Sequence, residues 1–187
     1  MLPFGPRLLV GGTFNQESSN GLPARALVAW DGMAISSLGL GAGEVRDIYS
    51  RDLADGSGNY ELIVCRAAAP HVMRATVNPT AEPFQPTLVS MGPTTGASQL
   101  FGTVNTVERF NNEFYVGGEF AASKHPATLG RNHIARWTGT GWVQVLNGVD
   151  LPVHALKAYS GALYLGGEFS SANNGAVPAV RMARWNG

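Results

Sequence analysis

A short segment that returns along the chain constrains the fold more than any other feature. Phe114-Tyr115-Val116-Gly117-Gly118-Glu119-Phe120 reappears as Leu163-Tyr164-Leu165-Gly166-Gly167-Glu168-Phe169, with Gly117 and Gly166 49 residues apart. A third copy stands near the start as Leu8-Leu9-Val10-Gly11-Gly12-Thr13-Phe14. Each copy is followed by an apolar strand ending in tryptophan: Leu27-Val28-Ala29-Trp30, Ile134-Ala135-Arg136-Trp137 and Met182-Ala183-Arg184-Trp185. The tryptophans lie 18, 19 and 18 residues past the second glycine. Units of one fixed design have to bury their apolar faces against one another, so a repeat decides the architecture before any local propensity does.

The distance from Trp30 to Trp137 is about twice the period, which requires a degenerate unit between them. Tyr60-Glu61-Leu62-Ile63-Val64-Cys65-Arg66 takes the place of the double-glycine strand, His71-Val72-Met73-Arg74 matches His133-Ile134-Ala135-Arg136, and Phe84 to Met91 matches Trp142 to Leu146. The third unit reads as four strands, Thr103 to Phe110, Phe114 to Phe120, His133 to Trp137 and Gly141 to Leu146, with turns at Asn111-Asn112 and Thr138-Gly139-Thr140-Gly141. Short antiparallel strands in fours, at a period of about 40 to 50 residues, predict an all-β fold of the β-propeller kind, built from four-stranded antiparallel blades. The units span residues 1–41, 42–92, 93–147 and 148–187 as a single propeller or propeller fragment. Aligning Phe4-Gly5-Pro6-Arg7 on Tyr159-Ser160-Gly161-Ala162 leaves the first unit short of its opening strand, and the last unit stops at Trp185-Asn186-Gly187, before its fourth. The expectation is therefore a fragment of a longer propeller, or a subunit that self-associates through open sheet edges.

Composition agrees with this reading and removes some functions. Hydrophobic residues make up 44% of the 187, enough for a substantial core. The 24 glycines and 11 prolines are spread along the chain, as many tight turns demand. Thirteen basic and thirteen acidic side chains leave a net charge of zero, so no field draws in nucleic acid. No apolar run approaches the roughly 20 residues of a membrane span, and the first residues lack a signal-peptide pattern. Cys65 is the only cysteine, which excludes an intramolecular disulfide and reads as a small buried hydrophobe.

The motif Tyr115-Val116-Gly117-Gly118 with Trp142 and Leu146, and again Tyr164-Leu165-Gly166-Gly167, resembles the unit of kelch-like propellers. The Gly-Gly-x-Phe and Ala-x-Trp-x-Gly patterns are similar to repeats of bacterial surface propellers and of the fungal cortical cell-polarity marker proteins. The resemblance implies binding of protein or glycan at an extracellular or cell-surface site or in an assembly, with the repeat residues serving structure.

Glu119 with Arg136, and Glu168 with Arg184, hold matching repeat positions and suggest a cross-strand ion pair, structural in role. Asp55, Ser57, Asn59 and Glu61 set oxygens at alternate positions as a short calcium loop does. Ala54 and Gly56 stand where carboxylates would be wanted, so a glycine-rich hairpin is the better reading. His71, His125, His133 and His154 lack metal-ligand spacing, and there is neither a G-x-S-x-G elbow nor a phosphate-binding G-x-x-x-x-G-K-[ST] loop. No catalytic, cofactor-binding or metal residue is assigned. The expected role is a non-catalytic binding module acting through the blade-connecting loops Asn15 to Arg25, Ala121 to Asn132 and Ser170 to Ala179. The alternative is a piece of a propeller hydrolase or oxidoreductase whose catalytic residues lie elsewhere. Trp30, Trp137 and Trp185 are expected to be buried packing residues.

Overall fold

A computed structural model describes residues 1–17, 23–40, 43–93, 100–121, 133–173 and 175–187. Every regular element among them is a strand. In chain order these are β1 (Leu2–Phe4), β2 (Arg7–Glu17), β3 (Pro23–Trp30), β4 (Ile35–Ser37), β5 (Val45–Asp52), β6 (Tyr60–Arg66), β7 (Val72–Val77), β8 (Val89–Ser90) and β9 (Phe101–Phe110). They continue with β10 (Glu113–Ala121), β11 (Ile134–Trp137), β12 (Trp142–Gln144), β13 (Val153–Tyr159), β14 (Ala162–Gly167), β15 (Ser171–Ala172), β16 (Val177–Pro178) and β17 (Met182–Trp185). Three four-stranded antiparallel meanders follow one another, β1-β2-β3-β4, β5-β6-β7-β8 and β9-β10-β11-β12. A three-stranded sheet β13-β14-β17 comes fourth, and β15-β16 form a separate hairpin. The fold is all-β, as expected, and the degenerate second unit builds a sheet like its neighbours. Among the described residues no helix is long and apolar enough to cross a membrane.

The repeat extends to backbone detail. The residue entering the third strand of a sheet accepts a hydrogen bond from the second strand in three sheets: Arg66 N–H to His71 O (2.8 Å), Gly118 N–H to His133 O (3.0 Å) and Gly167 N–H to Arg181 O (3.0 Å). Ala26 within β3, and His133 and Arg181 just before β11 and β17, have φ of 61°, 45° and 61°. Left-handed backbone is costly for residues other than glycine. Ala, His and Arg share no preference for it, so the sheet geometry imposes it. His71 and His133 therefore stand at a strand entrance, where repeat alignment had placed them.

The four sheets stack face to face in chain order, and each junction has its own apolar cluster. Phe4, Leu9 and Leu27 meet Val45, Leu62 and Val64 between sheets one and two. Ile63, Cys65 and Val72 meet Val104, Phe114 and Trp142 between two and three. Phe110, Tyr115 and Ile134 meet Val153, Leu163 and Leu165 between three and four. None of the three clusters joins the first sheet to the fourth. One contact recurs at the junctions: a valine beside a register shift in the first strand of a sheet fits a notch in the preceding sheet. A Cβ built on Gly11 would meet Val45 Cγ1 at 2.4 Å, and one on Gly117 would meet Val153 Cγ1 at 2.4 Å. The double glycine thus keeps the notch open for the next sheet. Cys65, opposite Asp47 in the register, occupies the same place in the second sheet and is fully buried in the cluster that contains Val104.

Three expectations need correction. The first unit does have an opening strand: β1 is only three residues long, but it pairs Leu2 with Leu9 and Phe4 with Arg7. In the second unit only Val89–Ser90 joins the ladder. Phe84 is buried outside any strand, beneath the Arg7 guanidinium at 4.5 Å. Of the repeat tryptophans, Trp137 and Trp185 are half-buried against the preceding sheet, whereas Trp30 is 44% exposed. Trp30 shares a face with Leu8 and Ile35, its register partners, and that face points away from sheet two.

Candidate functional site

A cleft of about 390 Å³ opens between sheets three and four, lined by Ile134, Val145, Val149, Leu165, Ala179 and Trp185 among others. Its origin lies in the repeat. Between sheets two and three, Trp142 of the fourth strand β12 enters the equivalent space, and about 60 Å³ remains there beside Val72, Met91 and Leu100. Val72 and Ile134 are repeat equivalents, each opposite the notch residue of its sheet, Cys65 or Gly117. Trp142 is only 3% exposed, and its indole N–H donates to Met91 O at 2.7 Å. Sheet four has no strand in the place of β12, so its cleft stays open and β17 carries, among the described residues, no partner on its outer side.

The turn that would lead into such a strand is already written. Trp137-Thr138-Gly139 in sheet three and Trp30-Asp31-Gly32 in sheet one precede fourth strands in which Trp142 and Ile35 face the tryptophan directly. Trp185-Asn186-Gly187 has the same form. Gly32, Gly139 and Gly187 have φ near +100°, in the left-handed range. A strand seated along β17 in this register would place its first apolar residue opposite Trp185 and over the cleft.

The far wall of the cleft is held by polar contacts. Of the three candidate binding loops, Ser170 to Ala179 folds into the β15–β16 hairpin. Asp150 pins that hairpin by accepting the N–H groups of Ser170 and Ser171, both at 2.9 Å, and the Ser170 hydroxyl at 2.7 Å. Desolvation pushes the Asp150 carboxyl upward, but these three hydrogen bonds outweigh it and bring its pKa to about 2. The Asn15 to Arg25 and Ala121 to Asn132 loops fall largely outside the described residues, as does His125.

The proposed charge pairs do not form. Arg136 lies opposite Tyr115 and donates to both oxygens of Glu113, at 2.7 and 2.9 Å. Glu119 sits four residues farther along the strand, opposite Thr103, about 13 Å away at the rise of an extended chain. Arg184 likewise lies opposite Tyr164, and Glu168 pairs instead with His154 at 3.0 Å. Repeat equivalence had identified residues in the same sheet but could not supply the register. The Asp55 segment closes a hairpin: its carboxylate accepts the N–H and hydroxyl of Ser57, which lowers its pKa. Glu61 is turned away to Arg51 at 2.8 Å. Among the described residues no group of three or more His, Cys, Asp or Glu side chains is gathered as a metal site would need. Asp47 is a carboxylate drawn into the stack. Burial raises its pKa, while it accepts the N–H of Val107 at 2.9 Å and of Ile48 at 2.8 Å, tying sheet two to sheet three.

No protein family, curated protein or solved structure was found that matches the chain. The cleft was missed in the sequence, whereas the three-stranded fourth sheet is the one expected from a last unit that stops before its fourth strand.

Proposed function

We propose that this chain is a non-catalytic β-propeller module of the kelch-like kind, which binds a protein partner by taking an extended apolar segment into the cleft between sheets three and four, at a cell surface or within an assembly. The observation that carries the reading is the open apolar cleft between sheets three and four, in the space whose equivalent one sheet earlier is occupied by Trp142. Pockets for alternate side chains give recognition of an extended segment its specificity. The chemistry of the segment follows from the repeat: a glycine, then a large aromatic or aliphatic residue opposite Trp185, then alternating apolar positions, as in Gly141-Trp142-Val143-Gln144-Val145-Leu146.

A synthetic peptide of that sequence with flanking lysines tests the proposal by calorimetry. Binding is expected in the micromolar range with a negative heat-capacity change, the mark of apolar burial. A control peptide with aspartate in place of the tryptophan is expected not to bind. No heat at about 1 mM peptide, or equal binding of the control, would refute the reading, because the cleft would then not select for the apolar residue.

A further inference from the structure

We infer that a cavity between sheets two and three is a binding site for a small organic phosphate monoester, held by Arg51, Arg74 and Arg109. It lies at a different junction from the cleft between sheets three and four and stands independently of the reading given for that cleft.

The cavity measures about 330 Å³, near the lower end of the roughly 300 to 1,000 Å³ that small-molecule sites occupy. Arg51 and Arg74 line it from sheet two and Arg109 from sheet three, and Phe114 and Trp137 supply apolar wall. The register explains why the three arginines converge. Arg51 stands opposite Glu61 and Arg74 opposite Ile63, so all of them share the face that Ile63 turns to sheet three. Arg109 stands opposite Phe114, whose face packs on sheet two. Tyr49 meets the Phe114 ring edge-on at 5.5 Å. Burial raises the Tyr49 pKa, and Arg109 and Arg51 both oppose the rise, as cations gathered from two sheets do.

Two of these arginines depart from the repeat and the third lacks its repeat partner. Arg51 takes the place of Phe110, because each stands opposite the glutamate four residues before the notch residue, Glu61 before Cys65 and Glu113 before Gly117. Arg109, opposite Phe114, takes the place of Ala158, opposite Leu163. Phe110 and Ala158 pack into the junction of sheets three and four, so guanidinium groups stand here where packing alone calls for apolar side chains. Arg74 is the equivalent of Arg136, which is bidentate on Glu113 at 2.7 and 2.9 Å. In sheet two the matching Glu61 is taken by Arg51 at 2.8 Å, and Arg74 has no ion-pair partner among the described residues. Arg109 donates to the Asn112 side-chain oxygen, a neutral acceptor.

With Glu113 neutralised by Arg136, the lining sets three cations against the single carboxylate of Glu61, an excess of two positive charges. Like charges around one cavity repel, and an anion seated among them removes that cost. A phosphate monoester carries about −1.5 to −2 at pH 7, which matches the excess, and guanidinium forks pair with its oxygens two at a time. A bare phosphate ion would leave the Phe114 and Trp137 wall without a partner, so the ligand carries an apolar organic group.

Calorimetry on the whole chain at low ionic strength tests this with phenyl phosphate, inorganic phosphate and phenyl sulfate, which keeps the shape of the first but has one charge. Phenyl phosphate is expected to bind with a Kd of about 0.1 to 1 mM, and the other two at least about tenfold more weakly. Arg74→Gln, at an exposed position with no ion pair to break, and Arg109→Gln are each expected to weaken phenyl phosphate by about tenfold or more, with folding checked by circular dichroism. Arg46→Gln removes the same charge outside the cavity, where Arg46 pairs with Glu44, and is expected to leave binding unchanged. No heat at about 10 mM phenyl phosphate, phenyl sulfate or inorganic phosphate binding as tightly as phenyl phosphate, or equal weakening by the Arg46 and Arg74 substitutions would each overturn the proposal.

Discussion

Placing the same methyl group at two equivalent glycines gives unequal results if the stacked sheets are held by a valine in a notch. Gly117→Ala sets a Cβ 2.4 Å from Val153 Cγ1, 2.9 Å from Val153 Cβ and 3.1 Å from Thr106 Cγ2. Carbon atoms pack best about 3.5 to 4.0 Å apart, so Val153 has to retreat by about an ångström. It has little room to do so, being fully buried and fixed beside the register shift between Val153 and Ala155. Overpacking of this kind costs about 1 to 3 kcal/mol, offset by about 0.4 to 1 kcal/mol from stiffening the unfolded chain. Gly166→Ala meets only Ala155 at 3.9 Å, ordinary contact, and keeps the favourable part alone. Neither glycine has positive φ, so strain does not enter. The two variants should differ by about 2 kcal/mol in urea unfolding, or about 4 to 8 °C in Tm for a chain of this size. Adding Val153→Ala to Gly117→Ala should recover part of the loss in a double-mutant cycle. Equal stability of the two glycine variants, or an additive cycle, would refute the notch argument.

Two further outcomes follow from burial and charge. Trp142→Ala should cost about 3 to 5 kcal/mol and Trp30→Ala less than about 1 kcal/mol, measured by denaturant titration; comparable losses would contradict the burial difference. For Asp150, the depressed folded pKa means stability is present above the unfolded value of 3.8 and is lost as pH falls toward about 2. Asp150→Asn should therefore lower Tm at pH 7 by the equivalent of about 1 kcal/mol, allowing for solvent screening of a partly exposed carboxylate, and lose that difference near pH 2. A difference between the two proteins that is independent of pH would assign the effect to packing.

The repeated letters carried the all-β class, the number of large sheets, the place of the degenerate unit and the strand-entrance role of His71 and His133. Strand periodicity, turn glycines and recurrence at a fixed spacing are local properties, so one sequence suffices to read them. Register and neighbours were decided only in three dimensions. Glu119 and Arg136 belong to one sheet, yet four residues of extended chain separate them, and a repeat alignment holds no information about which residues stand opposite. Trp30, Trp137 and Trp185 are the same residue in the same motif, but burial depends on whether another sheet lies against that face, and for Trp30 none of the described ones does. The cleft beside β17 has the same cause: its residues are those of a filled junction, and it is open because the strand that would fill it is not in the sheet.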